Sequence, residues 1–545
     1  MKKPLRLLVC VVCIFVAVLG AGALRADTGK LVVHLDQAGF AISPTFYGMM
    51  TEEINHAYDG GLYAELIRNR NLRDSDTDAP HWSVVAAQGA SGTIAVDKEN
   101  PVNSALPNSL RLNVASAEPS KLVGVANEGY WGIAVQPHTR YKASFYARCS
   151  QGFRGPLTVD LESSDRGTVY AKGTVSNIGA GWKKYTLTLT TGDCKPSASN
   201  QFVISASSPG SLWLSEVSLF PPTYHNRANG NRIDLMNLLA GLKPSFLRLP
   251  GGNYLEGNTI AERFDWKSTI HDISLRPGHQ GPWGYRSTDG LGLLEFLEWC
   301  EDLRIQPVLA VYAGYSLRGE HVDPGPNLQP YVQDALDEIE YAMGDTNTPW
   351  GAQRAKDGHP KPFTIHYIEV GNEDQFDRSG SYDGRFTAFY DAIKAKYPNL
   401  KIIATTAVTS RKPDVLDDHY YRSAVAMERD SSHYDTSDRN GPKIFVGEWA
   451  STEGNPTPTL HAALGDAAWL TGLERNSDLV VMESYAPLLV NVNQGAAQWG
   501  TNLIGYNALT SFGSPSYYVQ SMFGQNTGNT ELPITLTQPT LPPAP

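Results

Sequence analysis

Two short stretches hold the residues best suited to bond-breaking chemistry. In FTIHYIEVGNEDQF (363–376) an apolar run built on Ile365, Tyr367, Ile368 and Val370 breaks at Gly371 and delivers Asn372-Glu373-Asp374. KIFVGEW (443–449) repeats the form about 75 residues later, ending Val-Gly before Glu448. Packing alone does not end a buried strand in an amide and carboxylates. A site at the mouth of a parallel barrel does, because such sites collect at the C-terminal ends of the strands. Two glutamates suit glycosidic bond cleavage: one carboxylic acid protonates the leaving oxygen, and one carboxylate attacks the anomeric carbon or activates water. Other apolar runs end in polar residues too: Glu52 and Asn55, Arg248 through Asn253, His419 and Tyr421, Glu483 and Tyr485. There is no GxSxG elbow, and Gly251-Gly252 lacks the Lys-Ser/Thr of a phosphate loop. With no CxxC outside the leader-borne Cys10 and Cys13, no HExxH and no ligand spacing among 13 histidines, neither a metal nor a cofactor is expected at this site.

The elements that must position these residues follow an α/β rhythm. Strands are expected at Thr45–Met50, Ser245–Pro250, Pro307–Tyr312, Ile365–Glu373, Ile402–Ala407, Val415–Tyr421, Ile444–Glu448 and Leu479–Tyr485. Helical spacing marks Gly60–Asn71, Arg232–Gly241, Leu291–Leu303, Tyr331–Ala342, Arg385–Lys396, Leu460–Glu474 and Ser516–Phe523. Eight strands mostly separated by helices predict a (β/α)8 barrel, with an open doubly wound sheet as the alternative. Residues 81–222 break the rhythm with short alternating runs between Gly, Pro, Asn and Ser, the pattern of an inserted β-sandwich. The expected division is therefore a leader (1–26), an N-terminal strand and first βα unit (27–80), the insert (81–222), the rest of the barrel (223–525) and a Pro/Thr-rich linker-like tail (526–545).

Composition narrows the partners. At 545 residues, 19% charged and 41% apolar, the chain has ample material for a large core. A formal charge of −11 with no basic stripe argues against nucleic acid and for a neutral substrate. Lys2, Lys3 and Arg6 precede the apolar run Leu7–Leu19 and small residues up to Ala26, the order of a secretory signal peptide. A secreted or periplasmic protein, free of the membrane once the leader is cut, is expected; a retained anchor is the alternative. Cleavage removes four cations and no acid, leaving the charge near −15, and takes Cys10 and Cys13 with it. Of the remaining thiols, Cys149 and Cys194 are the candidate disulfide, both lying in the all-β region. Cys300 falls on an apolar helix face.

The motifs then resemble those of a known family. GMMTEEINHAYDGGLYAELIRNR (48–70), FLRLPGGNYLEGN (246–258), RPGHQGPWGYRSTDGLGLLEFLEWCEDL (276–303), YIEVGNED (367–374), DDHYY (417–421), FVGEWAS (445–451) and SYAPLLVNVN (484–493) are similar to segments of the α-L-arabinofuranosidases of glycoside hydrolase family 51. The resemblance spans nearly the whole barrel in the right order. It implies Glu373 as general acid/base, with a raised pKa, and Glu448 as nucleophile of a retaining double displacement. It also implies Glu52, Asn253 and Asn372 as partners of the sugar hydroxyls, Arg248 as the residue orienting the nucleophile, His419 beside the acid/base and Tyr421 beside the nucleophile. Trp283 is expected either to stack on the sugar or to pack in the core.

The insert resembles a jelly-roll carbohydrate-binding module through SLRL (109–112), GYWGIAV (129–135) and SLWLSEVSLFPP (211–222), a fold that often holds a structural Ca²⁺. Tyr130 and Trp131 are expected either to face a glycan or to pack insert against barrel. Two departures stand out. The C-terminal β-sandwich of the family is expected to be truncated or absent, leaving the strand at Leu31–Leu35 without partners, and Asn502 replaces the family's usual Asp after strand 8. The implied activity is release of terminal α-L-arabinofuranosyl groups from arabinoxylan, arabinan or arabino-oligosaccharides, by a chain compatible with oligomerisation. An endo-acting β-glucanase or xylanase, or a non-catalytic glycan-binding protein, is the rival reading.

Overall fold

A side chain on a β-strand points to alternate faces, so a strand closing a barrel puts every second residue inside. The computed structural model, which describes residues 29–37 and 39–537, applies this rule around a closed ring of eight parallel strands. In order these are Tyr47–Met50, Phe246–Leu249, Gln306–Val311, Tyr367–Val370, Lys401–Ala404, Val415–Arg422, Lys443–Ser451 and Val480–Tyr485, called barrel strands 1 to 8. Phe246, Val308, Ile403, Val415, Phe445 and Met482 pack into one apolar cluster, an inner layer to which six strands each give one residue. Strand 1 gives only Gly48 there; a Cβ on it would lie 2.1 Å from the Phe246 ring. One step further along the strands, Arg248 and Glu369 take the same inward parity. The apolar floor is thus capped by a charged layer.

Between barrel strands 1 and 2 the chain builds two five-stranded antiparallel sheets. One holds Trp82–Ala86, Val123–Asn127, Asn200–Ala206, Leu157–Ser163 and Val169–Val175; the other Lys183–Thr190, Arg140–Cys149, Gly210–Phe220, Ser109–Ser116 and Ser91–Asp97. Leu110, Leu112, Phe145, Leu161, Phe202, Ile204, Leu212 and Leu214 fill the space between them with no exposure. Four of these strands carry too little alternation to be read beforehand: Val123–Asn127, for instance, is buried at all five positions.

Several expectations require correction. No helix forms over Gly60–Asn71. The segment makes one turn at Tyr58–Leu62, containing Gly60 at φ +84°, and then runs irregularly. Its backbone is claimed elsewhere: the Leu66 amide donates to the Leu219 carbonyl, the Ala64 amide to the Gly230 carbonyl, and the Glu65 carboxylate accepts from the Leu219 amide. Pairing with the end of the insert outweighs a weak helical period. Cys149 and Cys194 are separate thiols, not a disulfide; the Cys149 thiol donates to the Ile178 carbonyl at 3.2 Å.

Of the described residues, those before Ser43 and after Thr527 form a unit distinct from 43–527. Within it, Lys30–Val33 pairs antiparallel with Ile534–Thr537 in the register Lys30 to Thr537. The N-terminal strand therefore does have a partner, and the tail is not a structureless linker as far as Thr537. The expected leader, residues 1–26, lies outside the described residues, as does 538–545. Among the described residues no helix is long and apolar enough to cross a membrane.

Phe246→Ala would open a cavity in the inner layer that the closed eight-strand ring cannot collapse around. We expect a loss of about 3–5 kcal/mol in denaturant unfolding; a loss under about 1 kcal/mol would mean this layer does not hold the barrel.

Candidate active site

Arg248 stands at the centre of the charged layer with no solvent exposure. Its guanidinium fork is fully used: Nε donates to Glu369 Oε2, Nη1 to Glu448 Oε1 at 2.8 Å and Nη2 to Asn372 Oδ1 at 2.7 Å. One rigid side chain from strand 2 thereby sets the ends of strands 4 and 7 relative to each other. The Asn372 amide is fixed from its other end by Nδ2 donating to Glu256 Oε2 at 2.7 Å.

Both acids follow glycines for a steric reason. A Cβ on Gly447 would lie 2.1 Å from Asp417 Oδ1, and one on Gly371, at φ +96°, would lie 2.0 Å from Asp374 Oδ2. Beyond Gly371 the chain holds Glu373 in the left-handed region (φ 46°, ψ 37°), an uncommon conformation for a residue with a side chain and one that clusters at functional sites. The carboxylate meets His419, whose Nδ1 donates to Glu373 Oε1 at 2.8 Å and whose Nε2 donates to Asp417 Oδ2 at 2.8 Å. A bulge between Asp418 and His419 shifts the register so that His419 lies opposite Glu448. Tyr421, two residues on, donates its hydroxyl to Glu448 Oε2 at 2.9 Å. Ligand atoms of Glu373, His419 and Glu448 all lie within 4.8 Å of one another.

Six carboxyls and two cations crowd this mouth, and burial decides which carboxyls keep protons. Burial, helped by the Glu448 charge, pushes Glu52 up to about 8. Burial also takes Glu369 to about 8, with the Asp417 charge adding to it against the pull of Arg248. Glu256 is raised well above the carboxylate range by burial and by the Glu373 charge. In the other direction, burial would raise Asp417, but the charge and hydrogen bond of His419 hold it at about 2. His419 itself, despite burial, is raised well above 6.5 by Glu448 and Asp417. Glu369 Oε1 is buried without a hydrogen-bond partner.

Glu373 departs from expectation. Burial would raise it, yet the hydrogen bond and charge of His419 outweigh burial and lower it. Without substrate, then, Glu373 is the ionised partner, and the proton sits on His419 Nδ1 in the bond between them.

The other expected residues divide. Glu52 lies at the mouth, its Oε2 accepting from Trp283 Nε1 at 3.2 Å. Trp283 is half-buried, edge-on to Trp499 with ring centroids 6.2 Å apart, and Trp499 stands the same distance from Tyr421. Trp283 is thus a wall of the mouth and not a core aromatic. Asn253 opens a one-turn helix directly after Gly252, which passes against the Glu52 carboxyl. Asn502 does not reach the site: its Nδ2 donates to the Pro456 and Trp499 carbonyls, its Oδ1 accepts from Asn55, and the side chain is fully buried. It ties the loop that carries Trp499. Glu483 is also remote, accepting from Trp449 Nε1 and pushed to about 8 by burial and by Glu474 and Asp466 on the helix layer. Tyr130 and Trp131 pack insert against barrel, with Arg68 4.6 Å above the Trp131 ring and His56 edge-on at 4.8 Å.

Glu369, Glu256, Asp417 and Trp499 were not assigned beforehand. Glu369 and Asp417 had a usable signal, an acid at inward parity two residues before Gly371 and His419. Glu256 and Trp499 sit on loops and had none. Among the described residues Glu373, His419 and Glu448 form the only grouping of three such side chains close enough to share a cation, and a protonated His419 between two carboxylates already neutralises that spot. No such grouping falls in the described insert.

Comparison with known proteins points one way. Residues 238–439 match the family described as "Alpha-L-arabinofuranosidase 1 domain", and 447–544 match "Alpha-L-arabinofuranosidase C-terminal domain". The second match, with the strand Ile534–Thr537, corrects the expectation that this region is absent. The chain is 40% identical over 511 residues to "Probable alpha-L-arabinofuranosidase A" of Aspergillus flavus, covering 91% of this chain and 79% of that one. It is 38% identical over 515 residues to "Alpha-L-arabinofuranosidase 1" of Arabidopsis thaliana, covering 91% and 74%. Among solved structures, an arabinose-bound GH51 α-L-arabinofuranosidase matches with a TM-score of 0.88 at 39% identity, over 93% of this chain and 84% of that one.

Glu52 and Glu369 keep their protons to about pH 8, whereas the unfolded chain releases them near 4.5. Between those values the folded state binds more protons, so stability must fall as pH rises. Melting temperatures measured from pH 5 to 9 are expected to decline, and Glu369→Gln, which needs no proton, to flatten the decline. An unchanged slope in that variant would overturn the protonation assigned to Glu369.

Proposed function

The chain belongs to the α-L-arabinofuranosidases of glycoside hydrolase family 51, and we propose that it removes terminal α-L-arabinofuranosyl groups with retention of configuration. The observation that carries this reading is the approach of Glu373 and Glu448 to within 4.8 Å at their nearest ligand atoms. Carboxyls about 5–5.5 Å apart leave room for an anomeric carbon but not for the extra water of an inverting enzyme, which needs about 6.5–9.5 Å.

Glu448 Oε2 or Oε1 attacks the anomeric carbon while Arg248 and Tyr421 hold its carboxylate in line. The leaving oxygen takes a proton from Glu373, which draws it from His419 Nδ1 along their 2.8 Å bond. This resolves the lowered pKa: the proton is stored next to the acid and moves as negative charge builds on the departing oxygen. In the second half Glu373 takes a proton from water, which opens the glycosyl–Glu448 ester. Glu52, protonated below about pH 8, can donate to a sugar hydroxyl, and we assign Asn253 and Asn372 as further partners of the sugar hydroxyls.

Bulk around the mouth supports cutting at chain ends: Trp283, Trp499 and Tyr421 form a continuous aromatic wall on one side of the acids. Arabinoxylan, arabinan and arabino-oligosaccharides are the substrates this reading names. The leader-like order of residues 1–26 supports action outside the cell.

On an aryl α-L-arabinofuranoside, Glu448→Ala is expected to lose several orders of magnitude in kcat, with azide yielding no product of retained configuration. Glu373→Ala should regain turnover with azide and release an arabinosyl azide of retained configuration. Wild-type rates in either variant would sink the assignment. The alkaline limb of kcat/KM should titrate near pH 8 and shift or vanish in Glu52→Gln, because ionised Glu52 would repel Glu448 and lose its hydroxyl donor; an unmoved limb would exclude Glu52 as its source.

A further inference from the structure

Apart from the catalytic mouth, the insert presents a concave charged surface that the hydrolytic chemistry does not use. The sheet containing Arg140–Cys149, Lys183–Thr190 and Gly210–Phe220 turns one face to the sandwich core; its other face borders a cleft of about 890 Å³ closed by residues 221–229. Alternation puts Arg140 and Lys142 on this outer face, with Lys142 opposite Thr188 and Ser144 opposite Thr186 across the strands. Lys184 lies on the same face.

Five cations line the cleft against one acid, Glu216, in a chain that otherwise carries 56 acids to 45 bases. Two of the five are spent: Arg70 pairs with Glu65 and Glu216, and Arg227 with Glu298, Glu301 and Asp302. Arg140, Lys142 and Lys184 reach no carboxylate among the described residues. Uncompensated charge inside a concavity focuses the field and draws anions.

The floor beneath them is already paired: Arg70 Nε faces Glu216 Oε1 at 3.5 Å, and the two residues are 2% and 5% exposed. Hydroxyls of Ser144, Thr186 and Thr188 between the cations would suit the ring hydroxyls of a sugar, and half-exposed Phe220 its apolar face.

We propose that this cleft binds an acidic glycan strand, its uronate carboxylates on Arg140, Lys142 and Lys184. The proposal rests on the glycosidase reading, since holding an acidic backbone would raise the local concentration of its arabinosyl branches at the barrel. A polyuronate is favoured over nucleic acid because three unpaired cations interleaved with hydroxyls suit carboxylates on a hydroxyl-rich chain, whereas a phosphate backbone needs a longer basic footprint.

The test is affinity electrophoresis of the full chain through gels containing polygalacturonate, neutral debranched arabinan or duplex DNA. Retardation by polygalacturonate alone is expected, fading as salt is raised. The triple variant Arg140→Ser, Lys142→Ser, Lys184→Ser should bind roughly ten- to a hundredfold more weakly, at ordinary exposed-pair strengths, while hydrolysing an aryl α-L-arabinofuranoside at the parent rate. No retardation of the parent, equal retardation of the variant, or equal retardation by DNA overturns the proposal. Absence of hydrolysis by the parent would instead overturn the glycosidase reading and leave the gel result standing.

Discussion

Everything at the mouth of the barrel depends on one buried guanidinium. Placing Arg248 in the interior would be prohibitive for a lone cation, and the fold compensates by surrounding it with three oxygens from strands 4 and 7. That need runs in both directions. Arg248 requires Glu448, Glu369 and Asn372 to be buried at all, and those three side chains are in turn held in place by its fork. Such an interior ion pair adds little net stability; its value is positional, because a planar fork with fixed N–H directions tolerates few arrangements of its partners.

The same economy explains the protonation pattern. A cluster with six carboxyls cannot ionise them all: Glu52, Glu256 and Glu369 are raised towards the neutral acid, while Arg248 and His419 lower Asp417 and Glu373. His419 is the link between the halves. It is raised because Asp417 and Glu448 face it, and its charge and hydrogen bond lower Glu373; in the proposed mechanism the two residues share the proton that the leaving oxygen takes.

Much of this was legible beforehand, and the reasons are local. A glycine followed by an acid at the end of an apolar run is a pattern that only a strand terminus explains, so Glu373 and Glu448 could be placed from a few residues each. Ring closure and strand order followed from the rhythm of elements. What could not be read depended on contacts distant in sequence. The helix expected at Gly60–Asn71 lost to hydrogen bonds with Leu219 and Gly230. The partner of Lys30–Val33 lies some 500 residues away. The direction of the Glu373 shift depends on His419, 46 residues on and displaced by a bulge. Asn502 was misjudged for the same reason: its type suited a sugar, but its neighbours Asn55, Pro456 and Trp499 had already claimed every hydrogen bond.

The position of the insert has a consequence for how the molecule assembles. Barrel strands 1 and 2 are neighbours in the ring, yet about 195 residues separate them along the chain. Pairing them across so long a disordered loop would be slow, because the entropy of closure must be met before the contact returns anything. The Leu66 amide bonded to the Leu219 carbonyl shows how the distance is removed: the two ends of the insert are clasped to each other. A sandwich that folds first turns that long loop into a short bridge, and the last step of barrel closure becomes a local one. Seen as a folding problem, the insert is a hinge pin set before the ring is shut.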